Sequence, residues 1–156
     1  MAYYRPLSTN LGDVSGHYAV LVGRWNTDIV ENLKAGAIKA LHMEGIGDDD
    51  ISVFYVPGAF EMPLAAKKLA MSGKYVAVIT VGAVIRGGTP HFEFVAGECS
   101  RGLATVALEQ EIPVGFGVLT VDNTNQAIER SGDNDENKGV EAATAAMEMV
   151  ALLKQL

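Results

Sequence analysis

The sequence predicts an α/β domain of three layers, in which a four-stranded parallel sheet lies between helices on both faces. Three observations lead to this prediction. Short apolar runs rich in Val, Ile, Tyr and Phe alternate with longer helical segments along the chain. The runs are nearly continuous, which is typical of strands buried on both faces. The length of 156 residues, with 49% hydrophobic and 20% charged residues, suits one globular domain.

The elements follow in a regular order along the chain. Strands are predicted at 17–23, 51–56, 75–81 and 114–121, and helices at 27–44, 61–72, 92–110, 123–130 and 138–156. In the first helix, Ile29, Leu33, Ala37 and Leu41 recur at a spacing of four, and Gly45 ends it. Strands and helices in this order imply right-handed crossovers, and therefore one doubly wound, flavodoxin-like sheet.

Both ends of the chain leave alternatives open. Residues 1–16 show no clear period, so they form either a loose tail or an arm that pairs with a neighbour's sheet edge, and 17–156 form the domain. The last helix is apolar around most of its circumference, so it is either wedged inside the domain or covered by another subunit. We favour the subunit contact, because a mean hydropathy of +0.17 is high for a small monomer.

Charge and cysteine content exclude several classes of protein. A net charge of −7 repels nucleic-acid backbones and anionic lipid, so neither a nucleic acid nor a membrane is an expected partner. Cys99 is the single cysteine, which excludes an intrachain disulfide and indicates a cytoplasmic protein. We expect its thiol to be buried and inert, the alternative being a nucleophile. No signal peptide is visible, and no apolar run is long enough to span a bilayer.

Ligands of parallel α/β sheets bind beyond the carboxyl ends of the strands. That rule selects residues 24–26, 57–61, 82–91 and 122–125. Trp25 and Phe60 follow the first and second strands, where a flat heterocycle could stack on their rings. The alternative is that both rings fill the core.

The most specific of these segments is RGGTPH at 86–91, directly before a helix. Its glycines allow close backbone approach, and amide groups at a helix start bind anions. Thr89 adds a hydroxyl, and His91 can exchange protons near neutral pH. The alternative is an ordinary glycine-rich turn with an exposed histidine. The sequence shows no metal-ligand spacing, dinucleotide fingerprint or phosphate-loop pattern, so no metal or cofactor is expected. Gly115 and Gly117 are interpreted as close-packing positions in a strand.

Taken together, these segments resemble the lumazine synthase family of riboflavin biosynthesis. The matching stretches are GRWN at 23–26, VPGAFEMPLAA at 56–66, GAVIRGGTPHFEFVA at 82–96, GFGVLT at 115–120, QAIERSG at 126–132 and NKGVEAA at 137–143. The resemblance implies condensation of 5-amino-6-(D-ribitylamino)uracil with 3,4-dihydroxy-2-butanone 4-phosphate, with loss of phosphate and water. It implies no metal or organic cofactor, so positioning and proton transfer would carry the reaction.

The resemblance also implies roles for individual residues. For the pyrimidine and its ribityl chain it points to stacking, pocket and backbone contacts from Trp25, Ala59, Phe60, Glu61, Ala83, Val84 and Ile85. For the phosphate and the proton transfer it points to Gly88, Thr89 and His91. A neighbouring subunit would supply Phe116 and the phosphate donor Arg130. Lys138 would bind substrate, and Glu141 would orient His91.

Family members form pentamers, and some form hollow shells of sixty subunits, so a homopentamer and an icosahedral capsid are expected, with riboflavin synthase as a candidate partner. Two positions depart from the family pattern. Asp133, Asp135 and Glu136 stand near a position where relatives are often basic, which should weaken phosphate binding. Trp25 replaces a commoner Phe and should favour flavin-like ligands. The alternatives to an active synthase are therefore a flavin- or pterin-binding module and a shell protein with reduced turnover.

Overall fold

The sheet has the predicted four strands, all parallel. The computed structural model describes residues 1, 3–4 and 10–156. Its strands are β1 (Tyr18–Gly23), β2 (Ile51–Val56), β3 (Ala77–Ile85) and β4 (Val114–Val121), in the spatial order β2–β1–β3–β4. The second strand in sequence lies at one edge and the fourth at the other, as right-handed crossovers produce in a doubly wound sheet.

Helices cover both faces of this sheet, which confirms the three-layer prediction. They are α1 (Thr27–Met43), α2 (Met62–Met71), α3 (His91–Gln110), α4 (Thr124–Glu129) and α5 (Lys138–Leu153). One core joins α1 and α5 to the sheet, and a second core joins α2 and α3 to its other face. Within the described ranges, no helix combines the length and the apolarity that a membrane crossing requires.

Strand β3 is longer at its carboxyl end than the predicted 75–81. It continues to Ile85 because β4 runs alongside it, with Ala83 opposite Leu119 and Ile85 opposite Val121. On its other side, the register with β1 ends at Val81. Gly82 is level with Gly23, the last residue of β1, so residues 83–85 extend beyond β1 at the carboxyl edge of the sheet. This overhang belongs to the segment 82–91, which the sequence predicts to follow the strand.

Strand β2 departs from the expectation that both faces of every strand are buried. Val53, Phe54 and Tyr55 are exposed, Tyr55 by 50%. β2 is an outer strand that pairs only with β1 among the described strands. The helices cover the central strands more completely than this edge. Its apolar side chains form a surface that a second chain can cover, in keeping with the high mean hydropathy.

Helix α5 packs tightly inside the domain, against both α1 and the sheet. A side chain at Gly139 would place its Cβ 1.9 Å from the Leu33 carbonyl oxygen, and one at Gly115 would lie 2.5 Å from the Ala142 carbonyl oxygen. The close-packing interpretation of Gly115 is confirmed. The inner faces of α5 are therefore buried within the domain. Met149, Leu153 and Leu156 remain exposed on its outer side and at its end.

The N-terminal segment falls partly outside the described residues, since residues 2 and 5–9 of the expected arm 1–16 are among those not described. Its last part packs on the domain, because Leu11 and Val14 are buried in the α1–α5 core. Lys154 donates to the Ser15 carbonyl at 2.6 Å and lies 3.0 Å from the Asp13 carboxylate. Pairing of the arm with a neighbouring sheet remains a prediction.

Candidate active site

Trp25 stands on the carboxyl edge of the sheet, where its backbone continues the β1–β2 ladder. Its amide donates to the Pro57 carbonyl at 3.3 Å. The indole lies directly on Gly58, because a Cβ at that glycine would come within 2.7 Å of the ring. Trp25 is nevertheless 61% exposed. The core-filling alternative is therefore wrong, and the ring forms a supported, solvent-facing wall.

The segment that follows β2 presents a second aromatic ring. Phe60 is 56% exposed, so it does not fill the core either. The Glu61 carboxylate folds back and accepts a hydrogen bond from the Gly58 amide at 3.0 Å, which fixes the turn into α2. Ala59 is buried, so a ligand at this turn would meet its backbone instead of its methyl group.

Between these rings and the phosphate turn lies the β3 overhang. Its backbone groups that face β1 have no strand partner in the described register. Asn26 uses one of them, donating from Nδ2 to the Ala83 carbonyl at 3.2 Å. Successive residues of a strand direct their backbone groups to opposite sides, so the groups of Ala83 and Ile85 lie on this side and are placed to read the edge of a heterocycle, while those of Val84 face β4. A carbonyl has two acceptor positions, so the Asn26 contact leaves room for a ligand.

Asn26 was missed by the sequence interpretation. Its φ of 60° lies in the left-handed region. Asparagine tolerates that conformation better than most residues, so an Asn directly after a strand was an available signal. Its partner lies 57 positions away, and only the folded sheet reveals the contact.

The predicted phosphate turn is an open depression of about 390 Å³ in front of α3, lined by Arg86, Gly87, Gly88, Thr89, Pro90 and Glu93. His91 is the first residue of α3, a helix of 20 residues, and is exposed. Free amide groups and the helix dipole make such a start favourable for an anion. The structure brings Gly88, Thr89 and His91 together at one edge.

Arg86, at the entrance to this turn, belongs to the predicted segment RGGTPH, but the sequence interpretation gave it no role. Its Nε donates to Asp122 Oδ1 at 2.9 Å, and its Nη1 pairs with the Glu93 carboxylate. The guanidinium carbon lies 4.2 Å from the centroid of the Phe92 ring. The hydrogen bond from Arg86 lowers the pKa of the Glu93 carboxyl. The charged residue inside RGGTPH was the available signal.

Phe116 and Arg130 stand differently toward this group within one chain. Phe116 is on edge strand β4, five residues before its end at Val121, and lines a depression of about 430 Å³ together with Arg86, Phe92 and Asp122. Arg130 follows α4, where its Nη1 donates to the Gln126 carbonyl at 2.9 Å. No hydrogen bond among the described residues joins Arg130 to the turn at 87–90.

The two charged candidates on α5 pair with each other, because the Lys138 ammonium contacts the Glu141 carboxylate. Orientation of His91 by Glu141 thus stays a prediction. In the acidic run, Asp133 lies 3.0 Å from the Lys39 ammonium on α1. This carboxylate is therefore directed to α1, while Arg130 is held by α4. The cost of the acidic run to phosphate binding should accordingly be smaller than the sequence suggested.

The remaining candidate groups are structural or exposed. Burial raises the pKa of the Cys99 thiol to about 11, so the thiol is protonated near neutral pH, as the inert interpretation predicts. His42 contacts Asp48 at 2.8 Å on the surface, and the His17 ring packs edge-on against Tyr75. Both histidines lie outside the group formed by Trp25 and the phosphate turn.

Comparison with known families identifies the family of the chain. A family profile described as 6,7-dimethyl-8-ribityllumazine synthase matches residues 15–154 of the 156-residue chain. The match includes all four strands and the whole carboxyl edge. The chain therefore belongs to the 6,7-dimethyl-8-ribityllumazine synthase family, and it is accordingly a transferase of riboflavin biosynthesis.

Proposed function

We propose that this chain condenses 5-amino-6-(D-ribitylamino)uracil with 3,4-dihydroxy-2-butanone 4-phosphate to give 6,7-dimethyl-8-ribityllumazine, phosphate and water. The observation that carries the proposal is the β3 overhang. Its backbone groups, which have no strand partner on the β1 side, lie between an exposed indole and a glycine-rich turn at a helix start. A ring with hydrogen-bonding edges fits the first part, and a phosphate ester fits the second.

The pyrimidine would lie against the Trp25 ring, with its edge on the backbone of Ala83 and Ile85. Phe60 and Glu61 would enclose the ribityl chain. Stacking on a supported aromatic ring contributes about 0.5–1.5 kcal/mol beyond burial. The backbone groups add specificity, because a strand cannot rotate them away from the ligand.

The phosphate would occupy the turn at Gly88 and Thr89, in front of the α3 amides. His91 begins the same helix, so it can transfer protons during Schiff-base formation, loss of phosphate and ring closure. The chain carries a net charge of −7, so an anion needs a local cation. We assign that role to Arg130, which can bind phosphate through two parallel hydrogen bonds.

Arg130 and Phe116 would come from a neighbouring copy, together with Lys138. For Arg130 this assignment is supported by its hydrogen bond to the Gln126 carbonyl, which holds the guanidinium on α4. We propose a homopentamer in which every site lies between two subunits, with the exposed β2 face covered at the contact. A shell of sixty subunits, and its association with riboflavin synthase, would be a further step of assembly. We also place the protein in the cytoplasm, where its thiol stays reduced.

The assembly prediction is a mass near five chains. Each chain has a mass of 16.5 kDa, so light scattering should give roughly 80 kDa for a pentamer, and about twelve times that for a shell. A monomeric mass at micromolar concentration would contradict a site that is shared between subunits.

The reaction itself is tested by mixing the two substrates with protein and following lumazine formation by absorbance. We expect a rate well above the spontaneous condensation. A rate equal to that of the protein-free control would favour the alternative, in which the chain binds a flavin or pterin without catalysing the condensation.

His91→Ala is expected to lower kcat by about tenfold, with small changes in both KM values, because positioning carries most of the catalysis. His42→Ala is the matched control, since that imidazole is exposed in the last turn of α1 and contacts Asp48, which precedes β2. A several-thousandfold loss of kcat in His91→Ala would contradict the view that positioning carries most of the catalysis.

Riboflavin binding is expected from the size and exposure of the Trp25 ring, and this observation favours a second function beside catalysis. Stacking on an indole should quench flavin fluorescence on titration with micromolar protein. Trp25→Ala should abolish the quenching, while Trp25→Phe should reduce it. Unchanged fluorescence with the wild-type protein would remove the flavin-binding function.

A further inference from the structure

The phosphate turn has little packing of its own. A Cβ at Gly87 or at Gly88 would meet nothing within 4 Å, and residues 87–90 are all exposed. Glycines in an open turn sample many conformations, so a phosphate would have to order them on binding. Whatever fixes the two ends of the turn therefore determines how well it is prepared for the ligand.

Arg86 fixes both ends. Its amide donates to the Val121 carbonyl at 2.9 Å, which ties the start of the turn to the end of β4. Its Nε reaches Asp122, directly after β4. Its Nη1 reaches Glu93 in the first turn of α3, which ties the far end of the loop to the same side chain. The Phe92 ring supports the guanidinium from one face.

The charges argue against Arg86 as the phosphate donor. One guanidinium faces two carboxylates, so the group carries a net negative charge. Its Nε and one of its terminal nitrogens are already committed to carboxylate oxygens. An approaching phosphate dianion would be repelled by Asp122 and Glu93 as strongly as it is attracted by Arg86.

We propose that Arg86 is a positioning residue for the reaction: it bridges Asp122 and Glu93 so that the turn at 87–90 and His91 are held in register, and it does not bind the phosphate itself. This inference rests on the proposed function, which places the phosphate in that turn. Under this proposal, the cationic side chain that binds the phosphate is Arg130 of the neighbouring subunit and not Arg86.

The test compares variants whose effects on phosphate binding differ in sign between the two roles. If Arg86 positions the turn, Glu93→Ala and Asp122→Ala should each raise the KM for the phosphate substrate, because each removes one end of the bridge and the loss of order in the turn outweighs the repulsion that the carboxylate exerted. If Arg86 binds phosphate directly, the same changes free its donors and lower that KM. Arg86→Ala should raise it by about tenfold or more, with the KM for the pyrimidine substrate within about twofold.

Arg86→Lys should give an intermediate effect, since an ammonium can hold one carboxylate well but cannot fork between two. Arg101→Ala is the matched control: Arg101 pairs with Glu98 at 3.0 Å on the exposed side of α3. It should leave both KM values unchanged. A purely structural role for Arg86 would lower the melting temperature without separating the two KM values, and that result would overturn the proposal.

Binding of inorganic phosphate, measured by calorimetry, separates this inference from the proposed reaction. If the wild-type protein binds phosphate but forms no lumazine, the proposed reaction is wrong, and the phosphate affinities of the Arg86 and Glu93 variants still test whether Arg86 positions the turn. If lumazine forms and Arg86→Ala has the wild-type KM for the phosphate substrate, only the positioning role of Arg86 is wrong. Wild-type protein that neither binds phosphate nor turns over would overturn both.

Discussion

Arg130→Ala and Thr89→Asp are each expected to raise the KM for the phosphate substrate by about 10- to 100-fold, and coexpression of the two variants is expected to restore activity. The first change removes a charge-assisted donor, which contributes about 1.5–3 kcal/mol. The second places a carboxylate where the phosphate should bind. No hydrogen bond among the described residues joins the two side chains, so under the shared-site proposal each variant damages a different half of the site.

Recovery follows from the shared site. In randomly mixed rings, a site is intact when it takes Thr89 from one variant and Arg130 from the other, so about one quarter of the sites should work. The measurement is the initial rate at a phosphate-substrate concentration near the wild-type KM. Coexpression of Arg130→Ala with Arg101→Ala is the control, because half of its sites keep Arg130. No recovery in the first mixture, with mixed rings confirmed by mass spectrometry, would place the whole site within one chain.

Gly139→Ala is expected to destabilise the protein by about 2–3 kcal/mol, which is at the upper end of typical overpacking effects. The added methyl group would lie 1.9 Å from the Leu33 carbonyl oxygen, and both atoms belong to packed helices. One of the helices α1 and α5 must therefore shift. Lys138 opens α5 and donates its amide to the Arg130 carbonyl at 2.9 Å, so the shift should also displace Arg130.

Urea unfolding at a fixed protein concentration measures the loss of stability, since oligomer stability depends on concentration. Gly47→Ala is the matched control: its φ of −85° suits alanine, and a Cβ there meets nothing within 4 Å. That variant should be unchanged or slightly more stable, by less than about 1 kcal/mol. An unfolding midpoint for Gly139→Ala equal to that of the wild type would show that the contact between α1 and α5 accommodates the added methyl group without loss of stability.

Asn137 connects the loop that follows Arg130 to the start of α5. Asn137 caps α5 by accepting from the Gly139 amide at 2.9 Å, and it also donates to the Ser131 and Gly132 carbonyls at 3.0 and 2.9 Å. The loop between α4 and α5 is thus tied to the helix that it precedes. The acidic side chains of that loop project outward, and Asp133 is held by Lys39. The loop can therefore vary in charge while the backbone that holds Arg130 stays in place.

The layers, the order of strands and helices, and the glycine-rich segment before α3 could be predicted from the sequence alone. These depend on local properties: continuous apolar runs mark buried parallel strands, and glycines before a helix mark an anion site. The sequence also placed Trp25 and Phe60 at the ends of strands. It left open whether those rings were core or surface, because an isolated aromatic residue has the same local pattern in both cases.

The folded chain was needed to show how far β3 extends, which of its backbone groups lack a strand partner, and what Arg86 and Asn26 contact. The end of β3 depends on where β4 and β1 stop beside it, and Asn26 and Asp122 lie 57 and 36 positions from their partners. The position of Phe116 relative to the carboxyl edge depends on the same register. Register is fixed by packing between segments that are distant in the chain, and a local pattern does not contain it.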